Sequence, residues 1–372
     1  MDFPPPLVMY PCNNLPLDYI EAILRRLPAK SLGRFKSVSK QWCSLISEPR
    51  FIKAHLRLHN HHKISKLIFV SDTNSLYSLD INEIVPHLNS SDDIPATGNE
   101  INFRPPSIRW EGILGSCNGL VLARDEDDRI YLINPTTREI SKLPISPFAL
   151  PIGESFEMHG FGYDPSTDDY KVITISFWDT DNEHNPDCTD MLVSVYTLST
   201  NSCRKLPDSP YDHAVGHLVS GVLVNGSLHW LTSTRPSYSS TIIAFSLANE
   251  KFNEIELPDS IDNNKAVFKE LAVIGGKLCF CDQASNDLWV MEEYGVGMSW
   301  TKVSIHGVDI DDVKPICSVG GSNRDIVLGD EEGVVIYNVD KRVCRNVRIL
   351  GGPTSFTIGG TYVESLVSPK IP

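Results

Sequence analysis

The chain has 372 residues, of which 41% are hydrophobic and 22% charged, with a formal charge of −14; this is the profile of a globular protein with room for a small domain and a large one. No apolar run approaches the roughly 18 residues of a spanning helix, and residues 1–14 show no basic stretch ahead of an apolar one. Neither membrane insertion nor a signal peptide is therefore expected, and the reading is a cytoplasmic and/or nuclear protein.

Residues 1–14, with three prolines in a row, read as a disordered segment. Over residues 15–58 apolar side chains recur at helical spacing. Leu17, Ile20, Leu24 and Leu27 lie between Pro16 and Pro28; Leu32 and Phe35 follow; Val38, Trp42 and Leu45, with Ile46 beside them, run up to Pro49. A chain of about 40 residues sits near the lower limit for independent folding, so part of this apolar surface is expected to be covered by another polypeptide. The stretch holds nine Lys/Arg against three Asp/Glu, a net of +6 in an acidic chain. That charge suits an acidic protein partner, through steering more than affinity. A short helix over about 50–58 leads into a linker at 59–65. His55 and His59 are four apart, but with no further ligand in view a solvated linker is preferred to a metal site.

Leu15-Pro16, then Ile23-Leu24 with Leu27-Pro28, then Leu32, Phe35, Val38-Ser39-Lys40, Trp42 and Leu45-Ile46, resembles the F-box. The resemblance implies docking onto Skp1, the adaptor that hangs substrate receptors on a cullin-based ubiquitin ligase. Its contacting residues would be Leu15, Pro16, Ile20, Leu24, Leu27, Pro28, Leu32, Phe35, Val38, Lys40, Trp42 and Leu45. The bland alternative is that these positions only pack the helices together or against the rest of the chain.

From Lys66 onward the sequence turns to short apolar runs separated by Asn-Gly, Gly-Gly and Asp-rich turns. An aromatic strand followed by Leu-Pro recurs, from Tyr131-Leu132-Ile133-Asn134 to Leu143-Pro144, from Val195-Tyr196-Thr197-Leu198 to Leu206-Pro207, and from Ile243-Ala244-Phe245 to Leu257-Pro258. Repeats of this length with four strand-like runs predict propeller blades. Six are expected, near 66–106, 112–144, 157–207, 216–258, 269–305 and 313–350. A spare strand at 361–367 would close the ring by completing the first blade. The expected architecture is thus α+β and multidomain: a three-helix N-terminal domain, then an all-β propeller over 66–367 and a tail at 368–372.

Gly115-Ser116-Cys117-Asn118-Gly119, Asn134-Pro135-Thr136-Thr137-Arg138, Gly160-Phe161-Gly162-Tyr163-Asp164, Asp168-Asp169-Tyr170-Lys171-Val172 and Gly226-Ser227-Leu228-His229-Trp230 resemble the F-box-associated domain of plant F-box proteins. The double glycines at 275–276, 320–321 and 351–352 are only loosely similar to kelch repeats. Read locally, Asn118-Gly119 and Asn225-Gly226 supply the positive φ angles of tight hairpins, and Trp230, Trp289 and Trp300 pack between blades. The nine cysteines form no C-x-x-C pair; they are expected to be reduced, with Cys279 and Cys281 on one strand face. Asp125-Glu126-Asp127-Asp128 lacks calcium-loop spacing and reads as a solvated hairpin. No cofactor is expected.

The longer connections, 145–155, 179–189, 208–215, 233–239, 259–267 and 306–312, should emerge on one propeller face, where binding commonly resides. They carry Asp179, Asp181, Glu183, Asp187, Asp208, Asp212, Asp259, Asp262, Asp309, Asp311 and Asp312 against Arg235 and Lys265. That imbalance predicts a target protein with a basic surface and argues against nucleic acid. Trp178, Tyr211, Arg235 and Tyr238 are the residue types that make hot spots. The function expected is a non-catalytic substrate receptor of a Skp1–cullin–F-box ubiquitin ligase. The alternatives are a propeller-fold hydrolase or oxidoreductase, for which the Asp-box turns and copper ligands are missing, and a scaffold unrelated to ubiquitin, which leaves the basic helical segment unexplained.

Overall fold

A computed structural model of the chain describes residues 16–60, 65–89, 92–103, 108–150, 155–178, 191–213, 220–233, 240–258, 261, 268–282, 285–308, 313–321, 324–329 and 333–370. They fall into two compact units divided after His62. The segment expected to be disordered, 1–14, lies outside the described residues.

The first unit is helical: α1 (Leu17–Leu24), α2 (Ala29–Phe35), α3 (Lys40–Ser47) and α4 (Pro49–Asn60). Pro16 and Pro28 stand immediately before α1 and α2, where a missing N–H costs no helical hydrogen bond. Ser39 caps α3, its hydroxyl accepting from the Trp42 amide at 3.1 Å. Pro49 opens α4, the helical position proline tolerates best. Helix α4 runs past the expected boundary, so His59 is helical and the linker reading at 59–60 is corrected. His55 Nε2 donates to the Leu27 carbonyl at 2.8 Å and His59 Nε2 to the Arg25 carbonyl at 3.1 Å. The two rings, 4.2 Å apart, thereby satisfy carbonyls left unpaired where α1 ends.

The second unit is all β. Its strands are β1 (Ser65–Ser71), β2 (Leu76–Asp80), β3 (Ile94–Glu100), β4 (Trp110–Cys117), β5 (Leu120–Asp125), β6 (Ile130–Asn134), β7 (Glu139–Lys142), β8 (Ser155–Asp164), β9 (Asp169–Trp178), β10 (Leu192–Thr197), β11 (Ser202–Lys205) and β12 (Val222–Val224). There follow β13 (Ser227–Ser233), β14 (Ser240–Ser246), β15 (Phe252–Ile255), β16 (Phe268–Ile274), β17 (Lys277–Asp282), β18 (Asp287–Met291), β19 (Trp300–Ser304), β20 (Lys314–Ser318), β21 (Asp325–Gly329), β22 (Val334–Asn338), β23 (Val343–Leu350) and β24 (Phe356–Val363). Strands β4–β7, β8–β11, β12–β15 and β16–β19 make four separate antiparallel sheets, each in chain order. The other eight form one sheet, β20-β21-β22-β23-β3-β2-β1-β24. The fold is therefore propeller-like, but not six separate sheets. The reason is a parallel pair in which Val347 faces Ile94 and Leu350 faces Thr97. Gly98 permits the approach: a Cβ there would lie 2.9 Å from Gly352 Cα.

The C-terminal strand does pair with β1, Val363 opposite Ser65 and Phe356 opposite Ser71, but it begins earlier than the expected 361–367. Residues 364–367 are not strand; the buried Asn134 amide holds them, donating to the carbonyls of Ser365 at 3.1 Å and Val367 at 2.7 Å. Its Oδ1 accepts from the Thr136 and Thr137 amides, which makes the predicted turn. Asn118-Gly119 and Asn225-Gly226 take positive φ throughout, as two-residue hairpins require. Asp125 is buried rather than solvated, accepting from the Arg129 amide at 2.9 Å and the Tyr131 hydroxyl at 3.1 Å.

Apolar clusters fill the spaces between neighbouring sheets. Trp230 lies between β8–β11 and β12–β15, and Trp289 and Trp300 between β12–β15 and β16–β19. Cys279 and Cys281 share one face of β17, in the cluster against β20–β23. Lys171 ties β9 to the following sheet: its Nζ donates to Asp164 at 2.7 Å, to the Leu247 carbonyl at 2.7 Å and to Glu250 at 2.9 Å.

Candidate docking surfaces

Short helices cannot bury all the apolar side chains that shape them, and the helical unit shows which are left outside. Leu24, Leu32 and Leu45 are buried. Ile20, Leu27, Phe35 and Trp42 are half-buried, with the Phe35 and Trp42 rings edge to face at 5.7 Å. Pro16, Pro28, Val38 and Lys40 are exposed; Leu15 lies outside the described residues. The twelve positions drawn from the F-box resemblance thus divide into packing residues and surface residues. Leu24, Leu32 and Leu45 belong to the former, because a helical bundle needs some of its stripe for its own cohesion.

Three exposed apolar residues stand outside those twelve positions: Leu17 is 50% exposed, Tyr19 64% and Ile23 55%, alongside Val38 at 61%. Leu17, Tyr19 and Ile23 all lie on α1, which makes that helix apolar on more than one side. For Tyr19 and Ile23 the available signal was an apolar residue off the Leu17-Ile20-Leu24-Leu27 stripe of a short helix.

In the β unit, antiparallel pairing brings the ends of β7, β9, β11, β13, β15 and β19 to one side, together with the starts of the strands that follow them. All six connections singled out as long leave from those ends. Trp178 closes β9, half-buried and opposite Ser155. Tyr211 is turned inward, its ring against Phe252 at 6.4 Å, and burial raises its phenol pKa. Arg235 and Tyr238 lie outside the described residues, as do Asp179, Asp181, Glu183, Asp187, Asp259, Asp262, Asp309, Asp311, Asp312 and Lys265. Asp208 pairs with Lys205 at 3.3 Å, and the Asp212 backbone is bridged to Ser233.

A helical module with uncovered apolar side chains, followed by a propeller-like body with its longer connections on one side, is the build of a two-surface adaptor. Family comparison is specific: residues 12–54 match the F-box domain and residues 66–369 the F-box associated beta propeller domain. The chain belongs to the F-box proteins that carry this propeller domain. It is 32% identical to the F-box protein CPR1 of Arabidopsis thaliana, over 95% of this chain and 89% of that one. It is also 32% identical to the F-box/kelch-repeat protein At3g23880 of the same plant, over 97% and 98%. Among solved structures, YCF48 from Cyanidioschyzon merolae superposes with a TM-score of 0.39 at 8% identity, covering 80% of this chain and 94% of that one.

Proposed function

We propose that the protein is the substrate-recognition subunit of a Skp1–cullin–F-box ubiquitin ligase, its helical unit docking on a Skp1-type adaptor and its propeller holding a target protein. The observation that carries this reading is the exposure of Leu17, Tyr19, Ile23 and Val38 on a unit too small to cover them. The protein contributes no chemistry of its own. Holding target lysines near a ubiquitin-charged enzyme makes an encounter effectively intramolecular. The site of action is the cytoplasm and/or nucleus.

The propeller is read as six-bladed, the eight-stranded sheet being two blades joined along their outer edges. Six apolar clusters support this, one for each junction around a ring of six, including one inside the joined sheet. The acidic connections favour a target with a basic surface, captured less well as salt rises.

Capture of a purified Skp1-type adaptor by the full chain tests the receptor reading. Replacing Leu15 and Pro16 by alanine should abolish capture, and Tyr19→Ala with Ile23→Ala should weaken it about tenfold or more, a hot-spot magnitude. Val343→Ala, at an exposed propeller residue, should change nothing. Undiminished capture by the first two variants would refute the assignment.

A further inference from the structure

The junction between the β4–β7 and β8–β11 sheets is apolar in one half and polar in the other. Toward the short turns it is filled by Leu114, Leu120, Leu122, Phe161, Val172 and Tyr196. Strand alternation continues the same faces toward the loop side: after Leu120 and Leu122 comes Arg124 on β5, and beyond Phe161 and Val172 come His159, Glu157, Thr174, Ser176 and Trp178 on β8 and β9. The opposite face of β8 and β9 stays apolar to its end, with Met158, Ile175 and Phe177 in the next cluster. On the β8–β9 hairpin the change of character is therefore confined to one side.

Glu157 is the odd group in this polar half of the junction; Ser176 opposite it is already engaged, its hydroxyl accepting from the Leu150 amide at 2.9 Å. The Glu157 side chain is 26% exposed, and its carboxylate receives no hydrogen bond from any described residue; the one basic atom of a described residue within 4 Å is His159 Nε2 at 3.5 Å. His159 is itself buried, Nδ1 lying 3.2 Å from Thr174 Oγ1, and burial brings its pKa down to about 4, so it stands neutral at pH 7 and cannot balance the carboxylate. Arg124 is ion-paired elsewhere, its Nε 3.0 Å from Glu111 and its Nη1 3.7 Å from Asp128, although its buried Nε makes no hydrogen bond. Burial, then Asp128, raise the Glu157 pKa against the opposing pull of Arg124. A carboxylate left this way is stabilised by any cation that enters. Two residues along the same sheet face, Trp178 offers a half-buried indole. A carboxylate with an indole two residues along the same sheet face suits a guanidinium, which can donate to the carboxylate and stack on the ring.

We propose that Glu157 and Trp178 form a receptor for an arginine side chain of the target protein, inserted into this polar half of the junction from the loop side. The identity of the occupant rests on the receptor reading above; the existence of the cation site does not.

The test is titration calorimetry of the full chain at pH 7 with N-acetyl-arginine methylamide, using N-acetyl-norleucine methylamide as an uncharged control. Saturable binding of the arginine probe alone is expected, weakened about tenfold or more by Glu157→Gln and about threefold or more by Trp178→Leu. Both variants should keep the parent's thermal midpoint and its adaptor capture, so failure here is distinguishable from failure of the ligase reading. Arginine binding no tighter than norleucine, or unchanged by Glu157→Gln, would overturn the proposal. Should Glu157→Gln lose its fold, the Trp178→Leu comparison decides alone.

Discussion

Gly160 on β8 and Gly221, just ahead of β12, pair as an isolated parallel bridge, and what fills the space beside them is Trp230. A Cβ at Gly221 would sit 2.5 Å from Trp230 Cζ2, and one at Gly160 would sit 2.7 Å from the same atom. Gly221→Ala should destabilise the propeller by roughly 1–3 kcal/mol, the usual cost of overpacking, read as a lower urea midpoint. Gly33, mid-helix in α2 with nothing within 4 Å of its Cβ position, should go the other way: alanine there should stabilise the helical unit by about 0.5–1 kcal/mol. Four imidazoles are buried among the described residues; burial lowers the His55 pKa, and two others carry large shifts. His159 and His229 are both brought down by burial from 6.5 to about 4. His229 is held neutral, Nδ1 donating to the Val222 carbonyl at 3.0 Å and Nε2 accepting from the Tyr294 hydroxyl at 2.8 Å. Between those pH values the unfolded chain binds protons that the folded chain refuses. Stability is therefore complete above about pH 6.5 and falls as pH drops toward 4, by up to roughly 3 kcal/mol per histidine. Urea midpoints measured across that window should show the slope, and His159→Gln should flatten it by about one proton.

At the scale of elements, the propeller is fastened at two places. Strand β24 joins the end of the chain to β1, and the parallel pair β23 with β3 joins the last strands to the first. Removing residues 356–372 takes away one fastening and leaves β1 an open edge. The truncated chain should lose cooperative unfolding, seen as a reduced m-value, and should be cut by protease where the parent is not. The motifs shared with the F-box-associated domain act at this scale too. Asp164 accepts from the Ser166 amide and from Lys171, and Asn134 clamps residues 365–367. Lys171→Met should cost about 3–5 kcal/mol, because Asp164 is left buried without its cation, measurable as a lower thermal midpoint.

For the molecule as a whole, two units imply two responses. The helical unit, near the lower limit for independent folding, should gain thermal stability with adaptor concentration while the propeller transition stays where it is. Calorimetry of the full chain with increasing adaptor checks this; a shift of both transitions together would show that they are one cooperative block. The sequence alone set out the helical stripe, the strand-and-turn rhythm, the hairpin turns at Asn118-Gly119 and Asn225-Gly226, and the charge contrast between the two parts, since all of these depend on residues close in the chain. It did not show that Leu24 turns inward while Ile23 turns out, that His55 and His59 serve the end of α1, that β3 lies beside β23, or that Arg124 on β5 acts on Glu157 on β8. Those depend on which surfaces meet across tens or hundreds of residues, and periodicity says that a face will be covered without saying what will cover it.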